Sequence, residues 1–330
     1  NGREERSGGR WLDGCVSYPK IELHVHLEGA VRPHTLLDMA NRNDLPLPAN
    51  TVEGMSELYE FTDFAHFIEV WILTTNVMRS ADDFRRIVVD YAAEAASHGA
   101  VYLEAIFSPI ERVMRGVSWE TLFEGYCDGA QQAQEEHGVV VRFTPDAYRG
   151  ADVELVEEAA RRAVKYRDRG IVGFGIGGPE KGFPPQPYAR AFAIARDGGL
   201  GAVPHAGEVA GPESIRETMA ALGADRIRHG ISAVEDPQLM RELADRKIVL
   251  DVCPTSNLRT KAIADIAKHP LPRLIEAGVA CTLNTDDPAM FGTDLGREHE
   301  IAWQLGVRPK ALYDAGVTGA LCDTVTKKRL

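Results

Sequence analysis

His24 and His26 stand one residue apart in ELHVHLEG, residues 22 to 29, within a run that alternates apolar and polar side chains. In a strand, residues two apart share a face, so both imidazoles project to one side while Leu23, Val25 and Leu27 face the other. Two neutral imidazoles held a few ångströms apart form a metal grip. An H-x-H pair alone equally describes two ordinary polar residues, so the reading turns on the rest of the chain. PHAGE supplies His205 and Glu208, RIRHG supplies His229, and NTDDP supplies Asp286 and Asp287. Such groups suit metal-assisted hydrolysis with a carboxylic acid at hand to move a proton.

These residues need a scaffold that brings distant segments to one point. Apolar or alternating runs recur at 20–29, 100–108, 139–148, 171–178, 201–208, 226–232, 248–257 and 279–287. Amphipathic stretches such as DVELVEEAARRAVKYRDRG lie between most of them, with apolar residues at three and four and Gly or Pro at their ends. Eight strands with crossover helices predict an α/β fold, a (β/α)8 TIM barrel. Every one of the polar groups above falls at the C-terminal end of a strand, where such barrels carry their sites. The interval from 30 to 99 is too long for one crossover and predicts a helical insertion after the first strand, with extra helices across 51–80. An insertion there lies on the barrel's mouth, as a substrate lid or a stabilising flap. Residues 1–18 read as an N-terminal arm and 19–330 as a single metal-dependent barrel domain.

PKIELHVHLEGA, HAGE, RIRHG, CPTSN and NTDDPAMFGTDL together resemble the adenosine deaminase-like family of the amidohydrolase superfamily, in order and spacing, from about residue 19 to about 295. The resemblance implies one zinc ion, or another divalent metal, per subunit, held by His24, His26, His205 and Asp286 with an activated water. By the same carry-over Glu208 is the proton donor, His229 the group beside the water and Asp287 a contact to the purine ring. His26, Glu28 and the Gly178 amide join Asp287 as substrate contacts, Gly178 at ring nitrogen 3. The chemistry is consistent. A ring amine leaves poorly, so the reaction needs a strong nucleophile and a proton on ring nitrogen 1, and Glu208 must be a neutral acid in a desolvated place to supply it. His229 either takes the water's proton or stabilises the oxygen it leaves.

Two departures narrow the branch. Adenosine deaminases proper carry Asp where this chain has Glu28, a position that helps to hold the ribose 5′-hydroxyl, and FDLAGDE where it has FGIGGPE, residues 174–180. Gly175 and Pro179 replace two carboxylates there. These changes resemble the deaminases of aminodeoxyfutalosine, a menaquinone precursor with a benzoate on the 5′ side, and Arg149 is placed to meet that acid. The expected reaction is zinc-dependent hydrolysis of a 6-aminopurine nucleoside, adenosine or a 5′-modified adenosine such as aminodeoxyfutalosine, to the 6-oxopurine and ammonia; adenine deamination and amide hydrolysis on the same metal barrel are the alternatives. A purely structural zinc would leave Glu208 and His229 without purpose.

Composition sets outer bounds. Hydrophobic residues at 44% and charged ones at 26% describe an ordinary globular chain. The 37 basic and 49 acidic residues give a formal charge of −12, which repels nucleic acid and anionic membranes. No apolar run reaches the ~20 residues that span a bilayer. Cys15, Cys127, Cys253, Cys281 and Cys322 are scattered without metal or disulfide spacing, which fits a reducing cytoplasm. Cys253 and Cys281 read as core fillers rather than a second metal site. The glycines at 173, 175, 177 and 178 precede PEKGFPP, which cannot open a helix, so a dinucleotide-phosphate loop is rejected. Ser256 and Asn257 suit either a substrate contact or a hydrogen-bonded turn. His34, His66, His98, His137, His269 and His299 read as surface or capping residues.

Overall fold

The computed structural model describes residues 18–330. Apart from Tyr18, whose ring meets Tyr313 edge-on at 5.7 Å, the predicted N-terminal arm lies outside the described residues, as does Cys15. The strand segments are β1 (Lys20–His26), β2 (Ala100–Ile106), β3 (Val140–Phe143), β4 (Asp146–Tyr148), β5 (Gly173–Gly177), β6 (Gly201–Ala202), β7 (His205–Ala206), β8 (Arg226–His229), β9 (Val249–Val252) and β10 (Cys281–Leu283). All pair in parallel, in the runs β1-β2-β3, β4-β5-β6 and β7-β8-β9-β10. The last run returns to the first by a parallel bridge, Val25 to Asp286, where the His26 amide donates to the Asp286 carbonyl at 2.7 Å. This is the TIM-barrel order that the sequence predicts.

Two predicted strands are each divided by a proline. The runs 139–148 and 201–208 break at Pro145 and Pro204 because proline brings no N–H to the ladder. Both prolines still accept through their carbonyls, from Gly175 and Arg228, each at 3.0 Å. Each pair of segments therefore occupies one place in the barrel, and the eight predicted positions stand.

Strand alternation sorts the side chains. Leu23, Val25, Ile227 and Leu250 face the helices and are fully buried. Inside, such barrels are dominated by branched aliphatic residues, but this one carries charge. Arg226 donates from Nε to Asp251 at 2.8 Å and from Nη1 to Glu104 at 2.7 Å, all three at 0% exposure. Buried charges persist only when paired and hydrogen-bonded, which this network achieves.

The interval between β1 and β2 contains helices Val52–Leu58 and Phe64–Thr75 where extra helices were predicted. Asp63 caps the second by accepting from the His66 amide at 2.9 Å. A capping box, Ser80 with Asp83, starts helix Ala81–Ser97. That helix lies so close to Trp119–His137 that a Cβ at Gly125 would sit 2.5 Å from the Ala81 carbonyl, hence glycine. His269 and His299, read as surface or capping residues, are both buried. His269 accepts from the Leu271 amide at 3.1 Å and is part of the site described below. No helix among the described residues is long and apolar enough to cross a membrane.

Candidate active site

β1 delivers His24 and His26 inward by alternation, as the spacing predicts. β7 delivers His205, and the turn after β10 delivers Asp286. Their ligand atoms lie within 4.8 Å of one another. His205 Nε2 is 3.2 Å from His24 Nε2 and 3.3 Å from His26 Nε2, while Asp286 Oδ1 is 3.2 and 3.4 Å from the same two atoms. The outer nitrogens fix the tautomers, assigned here from their neighbours. His205 Nδ1 donates to the Ile176 carbonyl at 3.0 Å and His24 Nδ1 to that of Asp251 at 3.4 Å. Their Nε2 lone pairs therefore face each other. Burial pushes the pKa of His24 and His205 down and that of His26 to about 4, so the rings are neutral.

Neutral lone pairs crowded around a carboxylate repel unless a cation lies among them. A tetrahedral zinc with Zn–N of about 2.0–2.1 Å sets its ligand atoms roughly 3.3 Å apart, close to the separations observed. The donor set, three imidazoles and one carboxylate, fits such an ion. Burial opposes ionisation of Asp286, whose Oδ1 faces the His24 and His26 imidazoles. Ser256 Oγ donates to its Oδ2 at 2.6 Å.

Backbone strain aims two of the side chains. His229 and Asp286 have φ of 62° and 66°, the left-handed region that ordinary residues avoid. Alternation along β8 puts Arg226 and Arg228 inside and would turn His229 outward; the positive φ turns it in. A relay then orients its ring. His269 Nε2 donates to Asn257 Oδ1 at 3.2 Å and Asn257 Nδ2 donates to His229 Nδ1 at 3.2 Å, leaving Nε2–H of His229 toward Glu208 Oε2 at 3.5 Å and Asp286 Oδ2 at 3.6 Å. Ser256 and Asn257 thus hold Asp286 and His229, which is neither of the roles weighed for them.

Glu208 is buried, and burial raises its carboxyl to about 7, with Thr260 Oγ1 donating to Oε1 at 3.3 Å. Its position is set by Glu180, whose carboxylate accepts from the Gly207, Glu208 and Val209 amides at 2.7, 2.8 and 2.9 Å. Asp287 is pushed up by burial and by its neighbour Asp286. It accepts from Trp71 Nε1 at 3.1 Å, and Gly29 makes room for it, since a Cβ there would lie 1.7 Å from Asp287 Oδ1. His26, Gly178, Glu208, His229 and Asp287 all line one cavity of about 510 Å³, within the roughly 300–1,000 Å³ of small-molecule sites.

Glu28 is placed differently. It is buried behind that wall, with Oε1 accepting from the Ser108 amide at 2.7 Å and Tyr126 Oη at 3.2 Å. Arg149 also corrects its sequence reading. Although it borders the cavity, its Nη1 donates to the Phe183 carbonyl at 3.0 Å and its Nη2 to that of His205 at 2.9 Å, so it braces two loops rather than waiting for an acid. Cys253 and Cys281 are buried with thiols pushed up by desolvation; Cys281 packs as a core filler, whereas Cys253 Sγ lies 3.5 Å from His24 Nδ1 and groups with His24 and His229 at metal-ligand spacing. The glycine run has a steric cause at Gly175, where a Cβ would fall 2.1 Å from Asp146 Oδ1 and 2.4 Å from Arg228 Nη1.

Sequence reading missed Asp146, Arg228, Glu180 and Trp71. Asp146 pairs with Arg228 and lies 3.3 Å from His205 Nδ1. The period of two in RIRHG, which puts two arginines on the inner face, was the signal available for Arg228.

The Adenosine deaminase family model matches residues 19–330. An aminodeoxyfutalosine deaminase from Acidothermus cellulolyticus is 61% identical over 319 residues, covering 94% of this chain and 90% of that one. Among solved structures, an adenine deaminase from Arthrobacter aurescens superposes with a TM-score of 0.90 at 29% identity, covering 94% of this chain and 97% of the other. An amidohydrolase from Burkholderia ambifaria with bound zinc gives 0.88 at 26% identity, covering 100% and 92%.

Proposed function

The chain belongs to the adenosine deaminase family, hydrolases of C–N bonds, and on that premise we propose that residues 19–330 form one zinc-dependent domain that deaminates aminodeoxyfutalosine, a precursor of menaquinone, to its 6-oxopurine product and ammonia. The observation that carries this reading is the convergence of His24, His26, His205 and Asp286 beside a buried acid, Glu208, in a chain 61% identical to a deaminase of that name. His24, His26, His205 and Asp286 would hold the zinc. When bound, the ion lowers the pKa of its water to about 7 and so supplies the nucleophile.

The remaining steps belong to side chains. Glu208, neutral below about 7, gives its proton to ring nitrogen 1, which lets the ring accept electron density at carbon 6. His229 presents Nε2–H toward the oxygen that attacks. Asp287, steadied by Trp71, receives the edge of the purine, and Gly178 offers its amide to ring nitrogen 3. Adenine is the second reading, favoured by the superposition on the Arthrobacter enzyme.

Replacing Glu208 by Gln should leave zinc bound at one equivalent and reduce kcat by ~100-fold or more. Unchanged turnover would refute proton donation. Replacing His24 by Ala should lose metal and activity together, and metal retained at full stoichiometry would contradict the ligand set.

A further inference from the structure

The cavity extends past the residues that the deamination needs. Trp71 also lines it, with Nε1 on Asp287 and the Arg112 guanidinium 5.4 Å over its ring. The cavity lining includes an apolar part, with Phe64, Ile68 and Ile72 from helix Phe64–Thr75 and Met114 and Tyr148 from elsewhere in the chain. Ile72 and Met114 remain exposed. Tyr148 Oη reaches Met114 Sδ at 3.7 Å.

Two cations on this wall keep a buried nitrogen without a hydrogen-bond partner among the described residues, Arg149 at Nε and Arg115 at Nη1, and both terminal nitrogens of Arg149 are already committed to backbone carbonyls. Arg115 lines the cavity, and its Nη1 is buried without a hydrogen-bond partner among the described residues. Arg112 and Arg79 add positive charge around it, and Arg79 Nη1 donates to the Arg115 carbonyl at 2.5 Å. The neighbouring carboxyl, Glu111, also leaves Oε2 unpartnered. Burial raises Glu111 to about 7, so it opposes an incoming anion weakly. A buried guanidinium donor facing a cavity is satisfied by a planar oxyanion.

We infer that Arg115 and the apolar wall of Phe64, Ile68 and Ile72 form a specificity site for a flat, apolar 5′ substituent that ends in a carboxylate. This rests on the function proposed above and gives it a residue. The purine and its amino group lie at the zinc end, the ribose passes Trp71, and the acid reaches Arg115. Arg115 is a specificity residue and takes no part in the bond-breaking step.

The test compares aminodeoxyfutalosine with its benzoate methyl ester, in the parent enzyme and in Arg115→Gln, by the ratio of kcat/KM values. Loss of a charged hydrogen-bond partner should lower the preference for the acid by about 10- to 100-fold, chiefly through KM. Arg115→Lys should keep part of it. An unchanged ratio, or equal losses for acid and ester, overturns the role of Arg115 while leaving the function intact. Failure of the parent enzyme to deaminate aminodeoxyfutalosine at all overturns the function, and this inference falls with it.

Discussion

His229 shows how neighbouring residues, here Asn257 and His269, fix which nitrogen of a ring carries its proton. Its Nδ1 receives a hydrogen bond from Asn257, so Nε2 carries the ring proton and faces Glu208 and Asp286. A ring so protonated stabilises a developing oxyanion by donation instead of accepting a proton. Replacing Asn257 by Leu frees the ring to adopt the other tautomer. We expect kcat to fall by about 10- to 100-fold, the usual effect of losing an orienting partner, with metal content unchanged; a kcat equal to the parent's would remove the relay from the mechanism. His24, His26, His205, Glu208 and Asp286 were legible in the sequence because each is a reactive type at a strand end. Asn257 and Glu180 were not, since an amide or a carboxylate near a turn gives no sign of which distant group it will orient.

At the scale of elements, the site depends on short helices that follow the strands. Helix Pro254–Arg259 carries Ser256 and Asn257, and it is tied to helix Leu295–Gln304 through Glu298, which accepts from the Thr255 amide at 3.2 Å and from Thr293 Oγ1 at 2.5 Å. Burial raises the Glu298 carboxyl from 4.5 to about 7. A carboxyl with a raised folded pKa binds its proton more tightly in the folded state, so its contribution is complete below about 4.5 and declines as pH rises to about 7, by up to ~3 kcal/mol. Melting temperatures between pH 5 and pH 8 should therefore fall less steeply in Glu298→Gln than in the parent. Parallel curves for the two would show that Glu298 titrates normally. The helices across 51–80 were legible from spacing and length, but not their task. Trp71 lies 216 residues from Asp287 along the chain, and nothing local to WILTTN indicates that contact.

At the scale of the whole molecule, a barrel suits this chemistry because strands far apart in sequence end on one rim. β1, β7 and the turn after β10 contribute the proposed ligands, and the bridge between Val25 and Asp286 joins the first to the last. The rhythm of strand and helix made this architecture legible. The charged interior, Arg226 with Glu104 and Asp251, was less so, because pairing across a barrel depends on register that a linear pattern does not encode. The lining that helix Phe64–Thr75 gives the cavity and the unpartnered Nη1 of Arg115 likewise emerge only in the folded chain.

Purified, zinc-loaded protein offered aminodeoxyfutalosine, adenosine and adenine in turn, with loss of the 6-amino chromophore followed as an initial rate, tests the central claim most directly. We expect kcat/KM for aminodeoxyfutalosine to exceed that for either of the others by ~100-fold or more. A higher value for adenine, or release of ammonia from none of the three, would contradict it.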